Sequence, residues 1–153
     1  MQLSEHFSLD EFTRSSTAMR LGLDNTPGIV QLANLRRLAV AMEQVRQILG
    51  GRFVHVDSAY RSVAVNKAVG GQEDSAHVEG LACDFVCPEF GTPEQIALAI
   101  QKAGTVIFDQ LILEYGWVHL GLAQQGMPPR LMTLTKRSAS SPYEPGIVTE
   151  VAA

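Results

Sequence analysis

The apolar residues Ile29, Leu32, Ala33, Leu35, Leu38, Ala39, Met42, Val45, Ile48 and Leu49 recur with helical spacing and stop at Gly50-Gly51. This predicts the longest element of the chain, a helix that Asn25-Thr26-Pro27 opens as a cap with proline in its first turn. A stripe of that length has to be covered, so the elements available to cover it decide the fold class. "FVHVDSAY" is rich in β-branched and aromatic residues and predicts a strand from Phe53 to about Asp57. A short helix over Val63 to Val69 comes next, then a polar loop through Gly70-Gly71 and a second strand in "LACDFVC". Thr92-Pro93-Glu94-Gln95 opens a helix to about Ala103. "DQLILE" and "WVHLGL" are two further strands, joined through Tyr115-Gly116 as a tight hairpin. Upstream, Ser8-Leu9-Asp10-Glu11 has the form of a capping box and starts a short helix, after which "RSSTAMRLGLDNTPG" returns to turn chemistry. Helices and strands mix without a β-α-β rhythm, so the expected class is α+β, a central antiparallel sheet packed against helices. Residues 1–136 are expected to form one domain, and residues 137–153, a mixture of serine, proline and glycine without apolar period, a flexible C-terminal tail.

A chain of 153 residues fits one domain with a real core. Hydrophobic residues at 46% and charged residues at 18% are ordinary for a globular protein. The formal net charge of -4, with lysines and arginines scattered, excludes a protein that works mainly by gripping nucleic acid. No apolar run approaches the roughly 18 residues that cross a bilayer, and "MQLSEHFSLDEF" lacks the pattern of a secretory signal. The expectation is a monomer without a membrane partner, cytoplasmic when synthesised. Cys83 and Cys87 are too few and too close for a disulfide framework, and read as small buried apolar residues on a strand.

The chemistry lies in the histidines and one aspartate. His6 sits in a polar segment and His55 in mid-strand, and both read as surface or hydrogen-bonded residues. His77 is different, because Gly80 lets the chain turn and brings it toward Asp84, a carboxylate inside the apolar strand "LACDFVC". Such a carboxylate is costly to bury unless something pairs with it, and a metal would. His119, between Val118 and Leu120, is placed to reach inward from a half-buried strand. Two imidazoles and one carboxylate are a normal donor set for one catalytic zinc ion with an open fourth position. The alternative is a buried His/Asp hydrogen-bonded pair with an unrelated histidine.

"SAHVEGLACDF" resembles the S-x-H-x-x-G-x-A-x-D signature of the zinc D-Ala-D-Ala carboxypeptidase and L-alanyl-D-glutamate endopeptidase family, which shares its fold with the Hedgehog signalling domain. "VDSAYRS" resembles the family's S-G-Y-R-S strand end with Ala59 in place of glycine, "VNKAVGG" and "WVHL" also match, and "FSLDEFTRSSTAMRLGLDNTP" is similar to the N-terminal segment of a small phage and prophage branch. The resemblance runs from about Phe7 to about Leu122. It implies that His77, Asp84 and His119 are the zinc ligands, and that Arg61 holds and polarises the substrate; Ser75 and Trp117 are further candidates for the substrate site. A guanidinium fork suits a peptide carboxylate or a developing oxyanion, and a structural salt bridge is the competing role for Arg61. Trp117 and Tyr60 fit a cleft wall or the core equally well.

The resemblance breaks at the general base. Many members carry an acid three residues before the last histidine, where this chain has Gly116. Glu114 is the nearest acid. A two-residue turn at Tyr115-Gly116 would set it across from Trp117 and on the face of His119, at a diagonal distance of roughly 7–8 Å. Glu114 is therefore the expected proton acceptor for the attacking water, against a plain role as a solvent-facing turn residue. Asp109 is the reserve, at the far end of its strand. The implied reaction is hydrolysis of an amide in a peptidoglycan stem peptide, as carboxypeptidase or endopeptidase, reached after release or lysis in the manner of a phage enzyme. The competing expectation is a non-catalytic zinc-containing wall-binding or virion structural module.

Overall fold

A computed structural model describes residues 1–149. Ser8 starts α1 (Leu9–Thr13) through the expected reciprocal box: its hydroxyl accepts from the Glu11 backbone N–H, and the Glu11 carboxylate accepts from the Ser8 N–H. Where the sequence predicts only turns, a second helix forms, α2 (Ser16–Leu21), capped by the Ser15 hydroxyl and ended by Gly22 in the left-handed conformation. The long helix is α3 (Ile29–Ile48), but Asn25 does not cap it; the N-cap is Gly28, which offers no side-chain bond. The Asn25 amide instead donates to Thr13 O and Tyr60 O and accepts from Ser62 N–H, tying three segments together.

The remaining elements are, in order, β1 (His55–Ser58), α4 (Val63–Ala68), β2 (Ala82–Val86), α5 (Pro93–Ala103), β3 (Gln110–Leu113), β4 (Val118–Gly121), β5 (Met132–Thr135) and β6 (Glu144–Pro145). Ser62 caps α4, and Thr92 with Gln95 forms the second capping box at α5. The class is α+β as expected, with the strand order β1-β2-β4-β3-β5-β6 among the described residues. The sheet is mixed rather than antiparallel throughout, because β5 runs parallel to β3. The cause is local. β4 ends beside the start of β3, where Gln110 faces Gly121, and a short return brings the chain to the other edge of β3 at that same end. Arg130 anchors the return, its backbone N–H and guanidinium both donating to the Asp109 carboxylate, and Met132 N–H donates to Asp109 O at 2.9 Å.

The segment expected as a flexible tail also returns to the sheet. Glu144 and Pro145 pair with Thr135 and Leu134, Gly146 N–H donates to Thr133 O, and Val148 N–H donates to Thr135 Oγ1. The last four residues of that expectation, 150–153, lie outside the described residues.

One face of the sheet carries Cys83, Phe85, Leu111, Leu113, Val118 and Leu120, which pack with Leu35, Leu38, Met42 and Val45 of α3 and Ile96 and Ile100 of α5. Both cysteines are free and buried, and burial pushes the Cys83 thiol well up, in keeping with their apolar role. Strand alternation puts the intervening residues, Asp84, Ile112, Glu114 and His119, on the opposite face. No helix among the described residues is long and apolar enough to cross a membrane.

Candidate metal centre

Asp84 and His119 face each other directly across the β2–β4 ladder, which is why two residues far apart in sequence meet. His119 Nδ1 and Asp84 Oδ1 stand 2.8 Å apart. His77 arrives from the loop before β2. Its Nδ1 lies 2.7 Å from the carbonyl of Ala59, and a carbonyl only accepts, so Nδ1 carries the proton. In the neutral ring Nε2 is then a lone pair, aimed at Asp84 Oδ2 from 3.3 Å.

Two acceptors facing each other at that distance repel, and a cation or a proton between them relieves the repulsion. Burial pushes the His77 pKa down despite the pull of Asp84, so a proton is the poorer choice. A tetrahedral zinc ion with bonds near 2.0–2.1 Å spaces its ligand atoms about 3.3 Å apart. One ligand atom from each of His77, Asp84 and His119 lies within 4.8 Å of the others, so the donor set fits such an ion. Burial tends to raise the Asp84 pKa, but His77 and His119 beside it hold the carboxyl well below the usual range, leaving a buried anion for the centre.

The loop that delivers His77 depends on Gly80, which has φ +75° and on which a Cβ would meet Gln31 O of α3 at 2.8 Å and Leu35 Cγ at 3.2 Å. Ser75 serves the loop as well: its hydroxyl accepts from the His77 N–H at 3.3 Å. Arg61 stands against Asp84 with Nη2 3.7 Å from Oδ2, while Nε donates to Ser58 Oγ and Nη1 to Asn66 Oδ1, both at 3.2 Å. Burial lowers its pKa, and Asp84 opposes that shift.

Ser58 is in place because of a bulge in β1. Val56 opposes Phe85 and Ser58 opposes Asp84, so Asp57 is the extra residue and is displaced from the ladder. Asn66, which is 4% exposed, is fixed by donating to Gln72 O. Sequence inspection gave neither Ser58 nor Asn66 a role. The available signal was an asparagine inside a short helix whose other side chains are apolar or lysine.

Glu114 N–H donates to Trp117 O at 3.0 Å, and Leu113 opposes Val118, so the loop is the two-residue turn Tyr115-Gly116. Ile112 opposes His119, and Glu114 two residues on shares that face. Burial raises the Glu114 pKa, with His119 pulling it down and Asp84 adding to the rise, which moves a carboxylate toward the range of a base at neutral pH. Gly116 has φ +126° and open space around it. An acid at that position would meet no obstacle except its own backbone strain.

Trp117 is half-buried with its ring edge-on to Tyr115 at 4.6 Å, beside Glu114, whereas Tyr60 is buried in the core. Asp109 is held by Arg130, away from the cluster. His6 pairs with Glu43 at 2.9 Å and His55 with Asp57 at 3.4 Å, and neither histidine belongs to the cluster. The His55 partner lies two residues along an exposed strand, a spacing that sequence inspection passed over.

The family model described as Peptidase M15 matches residues 5–121, which span α1 to the end of β4 and every residue of the cluster. No curated protein matches the chain.

Proposed function

Because the chain belongs to the peptidase M15 family, we propose that it is a zinc metallopeptidase that hydrolyses an amide bond in peptidoglycan stem peptides, with His77, Asp84 and His119 as the ligands of one zinc ion. The observation that carries this reading is the lone pair of His77 Nε2 facing the Asp84 carboxylate in a buried site, beside His119. A zinc ion there supplies Lewis acidity, polarising an amide carbonyl and acidifying a water.

The protein's own groups supply the rest. Glu114, on the open face beside His119, takes a proton from the attacking water and delivers it to the leaving amine. Its raised pKa suits both halves of that transfer. Arg61, pinned by Ser58 and Asn66, presents its guanidinium to a substrate carbonyl or carboxylate next to Asp84. Ser75 holds the His77 loop and borders the substrate site, and Trp117 forms a wall on the Glu114 side.

Wall preparations digested with zinc-loaded protein, with fragments identified by mass spectrometry, test the reaction and show whether it is of carboxypeptidase or endopeptidase type. Chelation should abolish the cleavage and zinc should restore it. Glu114→Gln should bind zinc stoichiometrically and lose about 10²- to 10⁴-fold in kcat. A variant that retains both zinc and activity removes Glu114 from the role. Intact zinc binding by wild-type protein that cuts no stem peptide would instead favour a non-catalytic wall-binding or virion module, the reading that the glycine at position 116 supports.

A further inference from the structure

The residues beyond the family match add something to the open face of the sheet. In the parallel β3–β5 ladder Leu113 pairs with Thr135, and Lys136 N–H donates to Leu113 O at 2.8 Å, so Lys136 stands beside Glu114 on the same face. In the β5–β6 ladder Thr135 pairs with Glu144, which puts Tyr143 next to Lys136 in turn. The Lys136 Nζ lies 4.4 Å from the centre of the Tyr143 ring and donates to Ser141 O at 2.7 Å. A row of side chains therefore crosses the sheet as Trp117, Glu114, Lys136 and Tyr143, one step from the row of Asp84 and His119.

We propose that Lys136, backed by Tyr143, is an anion-recognition subsite that selects substrate peptides with a free carboxylate near the scissile amide. An ammonium has three N–H donors, and the hydrogen bond to Ser141 uses one of them on a neutral carbonyl, so donors remain for a ligand even though the neighbouring Glu114 carboxylate draws on the charge. The ring of Tyr143 and the Ser141 carbonyl fix the side chain in advance, which lowers the entropic cost of binding. Arg61 lies at the opposite end of the cluster, beyond Asp84, so a bound peptide meets a cation on each side of the metal ligands. Glu114 separates Lys136 from the centre, so an anion held by Lys136 extends away from the reacting carbonyl instead of competing for it.

This deepens the peptidase reading and rests on it for the identity of the ligand, but its test does not depend on cleavage. Calorimetric titration of zinc-loaded full-length protein would use the peptide L-Ala-γ-D-Glu-L-Lys-D-Ala-D-Ala in three forms: both carboxylates free, the D-Glu carboxylate amidated, and the C-terminal carboxylate amidated. Wild type should bind one amidated form about tenfold more weakly than the free acid, the size of a charge-assisted hydrogen bond at a half-exposed site. Lys136→Met should bind that form and the free acid equally, and Lys136→Arg should restore the preference. A preference that survives in Lys136→Met belongs to Arg61 or the metal and overturns the proposal. So does wild type that binds all forms alike or none. Mass spectrometry of the same mixtures separates the two ideas: a Lys136-dependent preference without cleavage keeps the subsite and ends the peptidase reading, and cleavage without the preference does the reverse.

Discussion

Gly80→Ala would show how tightly the loop that carries His77 is tied to the long helix. Two costs add. Holding alanine at φ +75° costs about 1–2 kcal/mol, because its Cβ crowds its own backbone. The added methyl would also stand 2.8 Å from Gln31 O and 3.2 Å from Leu35 Cγ. The first is helix backbone and the second belongs to a fully buried core leucine, so neither can swing aside, and overpacking of this kind costs about 1–3 kcal/mol. The expected loss is therefore about 2–5 kcal/mol, measured by urea unfolding of metal-free protein. Gly104 makes the control, since it ends α5 at φ +65° with nothing within 4 Å of a built Cβ. Gly104→Ala should lose only the backbone cost of about 1–2 kcal/mol. Zinc affinity separates the two sites as well. Gly80 N–H donates to His77 O, and Arg61 N–H donates to the same carbonyl, so a loop pushed off α3 takes His77 and the Arg61 backbone with it. Gly80→Ala should bind zinc more weakly and Gly104→Ala should not. Equal destabilisation of both variants would refute the contact argument, and normal zinc affinity in Gly80→Ala would refute the coupling.

Arg61→Lys cannot reach Ser58 Oγ and Asn66 Oδ1 while also facing Asp84, so kcat/KM on stem peptides should fall about 10- to 100-fold with zinc content unchanged. An unchanged KM and kcat would return Arg61 to a purely structural role. The metal-free protein should lose stability on acidification. Burial holds the His77 pKa below its unfolded value near 6.5, so from about pH 7 downward the unfolded chain binds a proton that the folded one refuses, at up to about 1.4 kcal/mol per pH unit. Asp84, whose folded pKa is depressed by its two histidines, contributes stability above about pH 4 that is lost as the pH falls further. Urea midpoints that rise between about pH 7.5 and 5.5 in the presence of a chelator would contradict the His77 argument.

The parts of this fold that were legible in the sequence are those set by neighbours a few residues apart. Both capping boxes, the long α3 stripe and the Tyr115-Gly116 turn come from local chemistry, and that turn placed Glu114 on the His119 face. The features that escaped depend on distant partners. Asn25 has the look of a helix cap, yet its amide serves Thr13, Tyr60 and Ser62, and no short window shows that competition. The α2 helix buries only Ala18, so it lacks an apolar period to detect. The β6 strand is two residues long and ends in proline, and its pairing is specified by β5, not by its own composition. Lys136 and Tyr143 could not be joined to the site before that pairing was known.

The irregularity in β1 has an effect beyond its own strand. A ladder continued without interruption from Val56 would have set Asp57 opposite Asp84, two carboxylates side by side at the place where a single negative charge is wanted. The extra residue turns Asp57 outward to His55 and leaves a neutral hydroxyl to receive Arg61. Because β1 is also an edge strand, the same interruption spoils the flat rim on which a neighbouring chain would extend the sheet. A repair that straightened β1 would thus be expected to harm the protein twice, crowding the His77-Asp84-His119 cluster with charge and inviting self-association.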